Sequence, residues 1–309
     1  MSISTSRPDN KFEYVPVVMG DTSTTQARAY AGDPSQPLIM IWPGWGMGAR
    51  YYRPLAEHLS AAGFPTAIGE LRGQGESSAR PSRSETWGYH DMVSEDYPRT
   101  VRGVKARLGL EPDHPTVLLC HSMGGQIGTL FLTRPECHEL NVIGMIGVGA
   151  GTPYFKGFEG KNRWRLAIGA PLMRLTSTFI GYQPEGILDL AGYGMQARRH
   201  VIEWSHLALA NNFNKVHTTD VPYPERLKEI TPQVLLLRFA GDEDCPRASM
   251  DNLAAQIPRA HVQLEELPEE LGHNRWARNP EAIVRRVQQW ISAQSAGQDP
   301  NPHSAFRGS

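Results

Sequence analysis

Thr116–Thr129 reads TVLLCHSMGGQIGT. Its opening, Thr116–Cys120, is a short, mostly apolar run of the kind that forms a strand buried on both faces. The run stops at Ser122, and Gly124 and Gly125 follow at once. From Gln126 onward, Ile127, Leu130 and Phe131 take on helical spacing. Strand, sharp turn at a serine, then helix is the geometry of a nucleophile elbow. Such a turn lifts the Ser122 hydroxyl off the sheet edge and needs small neighbours, because strand and helix crowd it. It also aims the Met123 amide at the space beside Ser122 Oγ, at a helix N-terminus where developing negative charge is favoured. The plainer reading is a Gly-Gly pair that merely starts a helix, and the rest of the chain chooses between the two.

Upstream of the elbow, Phe12–Val18 and Gln26–Ala31 read as an antiparallel pair at a sheet edge, joined by the turn-rich GDTSTT. Leu38–Trp42 is a buried strand ending in Pro43-Gly44-Trp45-Gly46-Met47-Gly48, and the helix Tyr51–Ala62 follows, stopped by Gly63. Thr66–Glu70 is a strand, Leu71–Ser77 a loop, and Asp91 the N-cap of a helix to about Leu108. Beyond the elbow, Val142–Val148 is a strand closing in Gly149-Ala150-Gly151. Alternation of this kind predicts a mostly parallel sheet covered on both faces. It lapses between 152 and 230, where only helical signals occur: Pro171–Ile180, with proline in the first turn, and Met195–Ala210. It resumes with Gln233–Phe239, a helix Ala248–Gln256, a strand Val262–Leu267 and a helix Glu281–Ser292. The expected organisation is therefore a core of residues 11–151 and 231–292, a helical lid at 152–230, and a polar, disordered tail at 293–309.

Composition excludes more than it identifies. The 309 residues are 40% hydrophobic and 20% charged, the range of soluble globular chains. A net charge of −1 gives no support for a nucleic-acid or membrane partner. The N-terminus lacks the apolar core of a secretory signal, and no apolar run approaches the ~18 residues of a membrane span. Three cysteines form neither a metal spacing nor a disulfide framework, so the expected compartment is the cytoplasm and no metal or cofactor is expected.

A serine hydroxyl is a weak nucleophile, so it needs a base, and the base needs a third group to orient it. Two segments downstream of Ser122 qualify. Gly241-Asp242-Glu243-Asp244 follows the strand Gln233–Phe239, and Gly272-His273-Asn274 follows the last strand. In a parallel sheet such loops gather on one edge, where ligands bind.

These segments together resemble the α/β-hydrolase superfamily over roughly Lys11 to Ser292. Cys120-His121-Ser122-Met123-Gly124-Gly125 is similar to the family's elbow, and Pro43-Gly44-Trp45-Gly46 sits where the family has its His-Gly oxyanion loop. Leu71–Ser77 resembles the Arg-Gly-x-Gly-x-Ser segment, and Gly241–Asp244 and Gly272-His273 resemble the acid and histidine loops. Trp87-Gly88-Tyr89-His90-Asp91 adds a likeness to a poorly characterised group of predicted hydrolases with a long helical lid. The resemblance implies Ser122 as nucleophile, His273 as base and Asp244 as acid, with Met123 and Trp45 amides as oxyanion hole. Asp242 and Glu243 are the alternative acids; Asp244 is preferred because the family aspartate takes the fourth position of such a turn. Two departures stand out. Cys120 replaces the elbow's usual first glycine, and Trp42-Pro43 lies where the oxyanion-loop histidine is usual.

Other candidates have plainer roles. His121 is expected to point away from the reaction and to be packed or hydrogen-bonded, and His206 and His217 to be cap residues. Cys120 is small and buried rather than a nucleophile, and Arg72 holds loops together. Gly147-Val148-Gly149-Ala150-Gly151 misplaces the third glycine of a dinucleotide fingerprint, and Gly44-Trp45-Gly46-Met47-Gly48 lacks the Lys-Ser/Thr of a phosphate loop. The lid aromatics, with Trp164, Phe179, Tyr193 and Trp204 the candidates for substrate contact, point to an apolar acyl or ring-bearing group. From Tyr154 to Ala210 seven Lys/Arg face four Asp/Glu, too slight an excess to imply an anionic ligand. The expected activity is hydrolysis of a carboxylic ester or lactone through an acyl-enzyme. An acyltransferase or thioesterase on the same residues, or a ligand-binding protein on a retired hydrolase scaffold, are the alternatives.

Overall fold

A computed structural model describes residues 12–186, 189 and 192–297, with the side chains of 295–297 excepted. The sheet comprises β1 (Glu13–Val18), β2 (Thr24–Tyr30), β3 (Leu38–Trp42), β4 (Thr66–Ile68), β5 (Thr116–His121) and β6 (Val142–Val148). A separate two-stranded ladder, β7 (Tyr182–Gln183) with β8 (Gln196–Ala197), precedes the last two strands of the sheet, β9 (Gln233–Phe239) and β10 (His261–Leu267). The order across the sheet is β1-β2-β4-β3-β5-β6-β9-β10. β1–β2 and β2–β4 pair antiparallel, and every other pairing within this sheet is parallel; the separate β7–β8 ladder is antiparallel. The sequence reading of a parallel sheet with an antiparallel edge pair therefore holds.

The helices are α1 (Arg53–Ala61), α2 (Tyr89–Asp91), α3 (Tyr97–Leu108), α4 (Met123–Phe131), α5 (Pro135–Glu139), α6 (Gly160–Ile180), α7 (Arg198–Ala210), α8 (Tyr223–Arg226), α9 (Arg247–Ala254) and α10 (Glu281–Gly297). A π-helical turn at Met92–Asp96 joins α2 to α3. The period-two alternation of strands sorts the core into two layers. Leu38, Met40, Trp42, Leu118 and Cys120 face Val101, Val104, Ile127 and Leu130, while Ile39, Ile41, Val117 and Leu119 face Leu55, Leu59, Ile283 and Val287. Each such aliphatic side chain contributes about 1.5–3 kcal/mol when fully buried. This double layer fixes the sheet, and with it the edge on which the β3, β5, β9 and β10 loops converge.

The structure departs from the sequence reading in several places. Asp91 is the third residue of α2, behind Gly88 as N-cap, and the 152–230 stretch carries the β7–β8 ladder among its helices. Glu70 leaves the β4 ladder; it is buried and accepts the amides of Ala49 (3.0 Å) and Glu76 (3.3 Å), so it ties two loops together. Pro171 does not begin a helix but lies inside α6, at an exposed position. There it removes the bond to the Ala167 carbonyl and its ring crowds that oxygen, but at an exposed position water can reach the freed acceptor. β10, at the sheet edge, is exposed over much of its length, so it lacks the apolar run of a central strand. Residues 293–297, expected as tail, continue α10, and 298–309 lie outside the described residues.

Candidate active site

β5 ends at His121, and Ser122 takes φ 50° and ψ −119°, a left-handed strain that non-glycine residues tolerate only where the surroundings enforce it. A Cβ on Gly124 would come within 2.7 Å of Pro43 O, and one on Gly125 within 2.4 Å of Ala150 Cβ, so both positions must stay bare. Cys120, where glycine was expected, fits because Gly128 faces it: a Cβ at 128 would lie 2.8 Å from Cys120 Sγ. Cys120 is fully buried, and burial pushes its thiol pKa well up, which leaves a neutral, unreactive group.

Ser122 Oγ lies 3.0 Å from His273 Nε2. His273 Nδ1 lies 3.0 and 3.1 Å from the two carboxylate oxygens of Asp242. The partner of His273 is thus Asp242, not Asp244. Asp242 sits three residues past β9, is buried, and accepts the amides of Asp244 (3.0 Å) and Cys245 (2.9 Å) in an Asx-type turn that locks its carboxylate inward. Asp244, two residues on, is half-exposed and turns away from His273 toward the cavity wall, where it accepts a 2.6 Å bond from Arg165 of α6. The fourth-position rule failed because the Asx turn is closed by the carboxylate two residues earlier, and the run Asp242-Glu243-Asp244 left the choice open to turn geometry.

Two further residues were undervalued. Gly149 has φ +59°, and a Cβ there would press within 3.0 Å of His273 Cε1 and Nδ1. The glycines after β6 therefore make room for the imidazole, a signal visible in the sequence as small residues at a strand end. His121 is buried against His273 and donates from Nε2 to the His273 carbonyl (3.0 Å), since a carbonyl can only accept. Its Nδ1 is then the acceptor, and Tyr52 Oη, 2.6 Å away, must donate to it. Tyr52 Oη in turn accepts the Gly44 amide at 3.0 Å. Burial first, then the neighbouring His273, holds the His121 pKa well below the usual range, so this neutral tautomer persists. A directed chain thus links the loop after β3 to the loop bearing His273.

A cavity of about 370 Å³ opens above Ser122, walled by Trp45, Leu166, Ala170, Met173, Tyr193 and Trp204. A smaller recess of about 60 Å³ runs past Met123, Gly149 and Phe158. Trp45 stacks on Tyr193 (centroids 4.7 Å) and packs on Trp204 (4.8 Å), joining the loop after β3 to the helical segment. Tyr193 and Trp204 lie on the cavity wall. Trp164 and Phe179 do not: they lie on the outer face of α6, 65% and 76% exposed, and line neither cavity. α6 carries apolar side chains on both faces, and sequence alone did not tell which face turns inward.

The remaining candidates stand apart from Ser122. His206 contacts Asn212, His217 contacts Glu203, and Arg72 is buried between Asp96 and Asp21. The 87–91 stretch docks α7: Trp87 O accepts the His200 amide, and the Tyr89 amide donates to Glu203. Among the described residues no cluster of His, Cys, Asp or Glu could hold a metal ion.

The sequence profile of the alpha/beta hydrolase family matches residues 38–286. The chain belongs to this family. No curated protein matches it in sequence. Similar solved structures include an esterase from Rhodococcus sp. ECU1013, 19% identical with a TM-score of 0.53, which covers 90% of this chain and 98% of its own. An esterase from Exiguobacterium antarcticum is 19% identical with a TM-score of 0.57, over 91% of this chain and all of its own. A thioesterase domain from the curacin biosynthetic pathway is 18% identical with a TM-score of 0.55, over 91% of this chain and 100% of its own. At these identities the likeness of this hydrolase-family chain to its neighbours is one of fold.

Proposed function

We propose that the protein is a serine hydrolase that cleaves a carboxylic ester with an apolar acyl or ring-bearing group. The observation that carries this reading is the bonded series Ser122 Oγ, His273 Nε2 and Nδ1, Asp242, set on a strained elbow at the floor of a cavity whose wall combines aromatic and aliphatic side chains with the Arg165–Asp244 pair. Ser122 Oγ attacks the ester carbonyl as His273 Nε2 takes its proton, while buried Asp242 holds the Nδ1–H tautomer and stabilises the imidazolium. The Met123 and Trp45 amides receive the oxyanion. The alkoxide leaves with the proton from Nε2, and water then repeats the sequence to release the acid. In this reading residues 152–230 act as a lid, whose Trp204 and Tyr193 select the acyl group.

A fluorophosphonate tests it, run beside p-nitrophenyl esters of increasing chain length. Labelling maps to Ser122, and Ser122→Ala loses labelling and about 10⁴–10⁶ of kcat. Labelling elsewhere, or an active alanine variant, overturns the mechanism. Labelling at Ser122 with turnover only when an acceptor other than water is supplied would reassign the enzyme as an acyltransferase.

A further inference from the structure

The large apolar side chains most exposed among the described residues are Trp164 (65%), Ile168 (63%), Leu172 (44%), Leu175 (53%) and Phe179 (76%), with only Tyr14 and Val18 comparable elsewhere. All five lie on α6, at spacings of three and four residues. At about 100° per residue they form one stripe along a helix roughly 30 Å long. The opposite face buries Leu166, Ala170, Met173 and Ser177, and Leu166, Ala170 and Met173 wall the cavity above Ser122. One helix thus presents an apolar face to the pocket and a second apolar face to solvent. A contiguous stripe of this kind marks an interaction surface.

The charges of α6 say what covers it. The helix contains Lys161, Arg163, Arg165 and Arg174 and no carboxylate; the nearest along the chain is Glu159 at its N-cap. The modest basic excess of the whole 154–210 segment is therefore concentrated on this helix. Lys161 and Arg165 are matched by Glu243 and Asp244. Arg163 and Arg174 lie exposed on one flank of the helix, about 80–100° round from Trp164, in no ion pair among the described residues. A second copy of the chain laid on the stripe would bring two more unmatched arginines and no helix carboxylate to meet them. An anionic amphiphile surface supplies both an apolar layer and the missing negative charge. Among the described residues no helix is long and apolar enough to cross a membrane, so α6 would lie in the interface rather than span it.

We propose that the outer face of α6 docks on an anionic lipid surface, with Trp164, Ile168, Leu172, Leu175 and Phe179 entering the headgroup–acyl boundary and Arg163 and Arg174 meeting lipid phosphates. Docking does not depend on the proposed reaction. Its use does rest on that reading: the cavity lies on the other side of the same helix, so an amphiphilic ester can pass from the surface to Ser122.

Vesicle flotation of the full chain tests the docking. The protein floats with phosphatidylcholine–phosphatidylglycerol vesicles and does so at least about tenfold more weakly with phosphatidylcholine alone. Ile168→Ser with Leu175→Ser abolishes flotation while melting temperature and turnover of soluble p-nitrophenyl acetate are retained. Arg163→Gln with Arg174→Gln weakens binding by about 30-fold, from about a factor of five per basic residue near the surface. Ser122→Ala floats like the parent, which separates docking from catalysis. No flotation on either vesicle, or equal flotation on both that ignores the arginine pair, overturns the proposal. So does a dimer in sedimentation that Ile168→Ser with Leu175→Ser dissolves, which would assign the stripe to a second copy.

Discussion

Tyr52 Oη donates to His121 Nδ1 across 2.6 Å, and His121 Nε2 donates to the carbonyl of His273. Two side chains with no part in bond-making thereby fix the spacing between the Gly44–Trp45 loop and the proposed base. Tyr52→Phe leaves the Gly44 amide and His121 Nδ1 unpaired and buried, at about 1–3 kcal/mol each. The expected result is a lower melting temperature together with a fall of roughly 10–100-fold in kcat at unchanged KM, because small displacements of aligned groups are expensive. A variant that melts earlier but keeps its kcat would reduce Tyr52 to a packing residue.

Asp242→Asn and Asp244→Asn separate the two carboxylates of one turn. Asp242→Asn should lower kcat by about 10⁴, through loss of the correct imidazole tautomer. Asp244→Asn breaks a half-exposed ion pair with Arg165 on the cavity wall without touching His273, so its effect on kcat should stay within about fivefold. Steady-state kinetics on one soluble ester decides the matter, and the reverse ranking would restore Asp244 as the acid.

Gly149→Ala should damage catalysis from a residue with no functional group. Its Cβ would sit 3.0 Å from two ring atoms of His273, on a backbone at φ +59°. A kcat loss of about 100-fold is expected, with fluorophosphonate labelling of Ser122 slowed in proportion. Labelling at the parent rate would mean that the imidazole had not moved.

Glu70 makes stability depend on pH. Burial dominates and raises its pKa to about 7 from 4.5, against the lowering effect of the Ala49 and Glu76 amides. The folded chain therefore holds this proton where the unfolded chain has released it. The contribution is complete below about pH 4.5 and is lost as pH rises through about 7. Melting temperatures of the parent and Glu70→Gln, compared across that window, should diverge, with the parent losing ground toward neutral pH. Parallel curves would show that Glu70 has its ordinary pKa.

Trp204→Ala should shift the kcat/KM ratio between short and bulky acyl esters by about 10–200-fold, since Trp204 walls the cavity. It should also cost stability, being only 7% exposed. Phe179→Ala should leave the ratio unchanged. Equal ratios in both variants would remove the segment from substrate selection.

The fold was legible because its signals are local. Thr116–Cys120, Leu38–Trp42 and Val142–Val148 each carry the apolar run of a central strand, and burial of both faces leaves little freedom to place such runs elsewhere. Ser122 and His273 were legible for the same reason, each following a strand end in the expected order. What escaped depends on directions that sequence does not encode. The choice of Asp242 over Asp244 turns on a single Asx closure. The orientation of α6 depends on which of two apolar stripes meets the pocket, and both stripes read alike. Nothing in the predicted helix Tyr51–Ala62 marks out Tyr52, because its partner His121 lies 69 residues away.

The contact between Cys120 and Gly128 couples strand and helix at the elbow. There is room for one side chain between them, and here the strand fills the space while the helix leaves it bare. A Cβ at 128 would strike not only the Cys120 sulfur but also Met145 Sδ, each at 2.8 Å. Trimming the strand residue alone would therefore not free the helix to take alanine: Met145, on the neighbouring strand, would have to yield as well. The bare position is held from two strands at once.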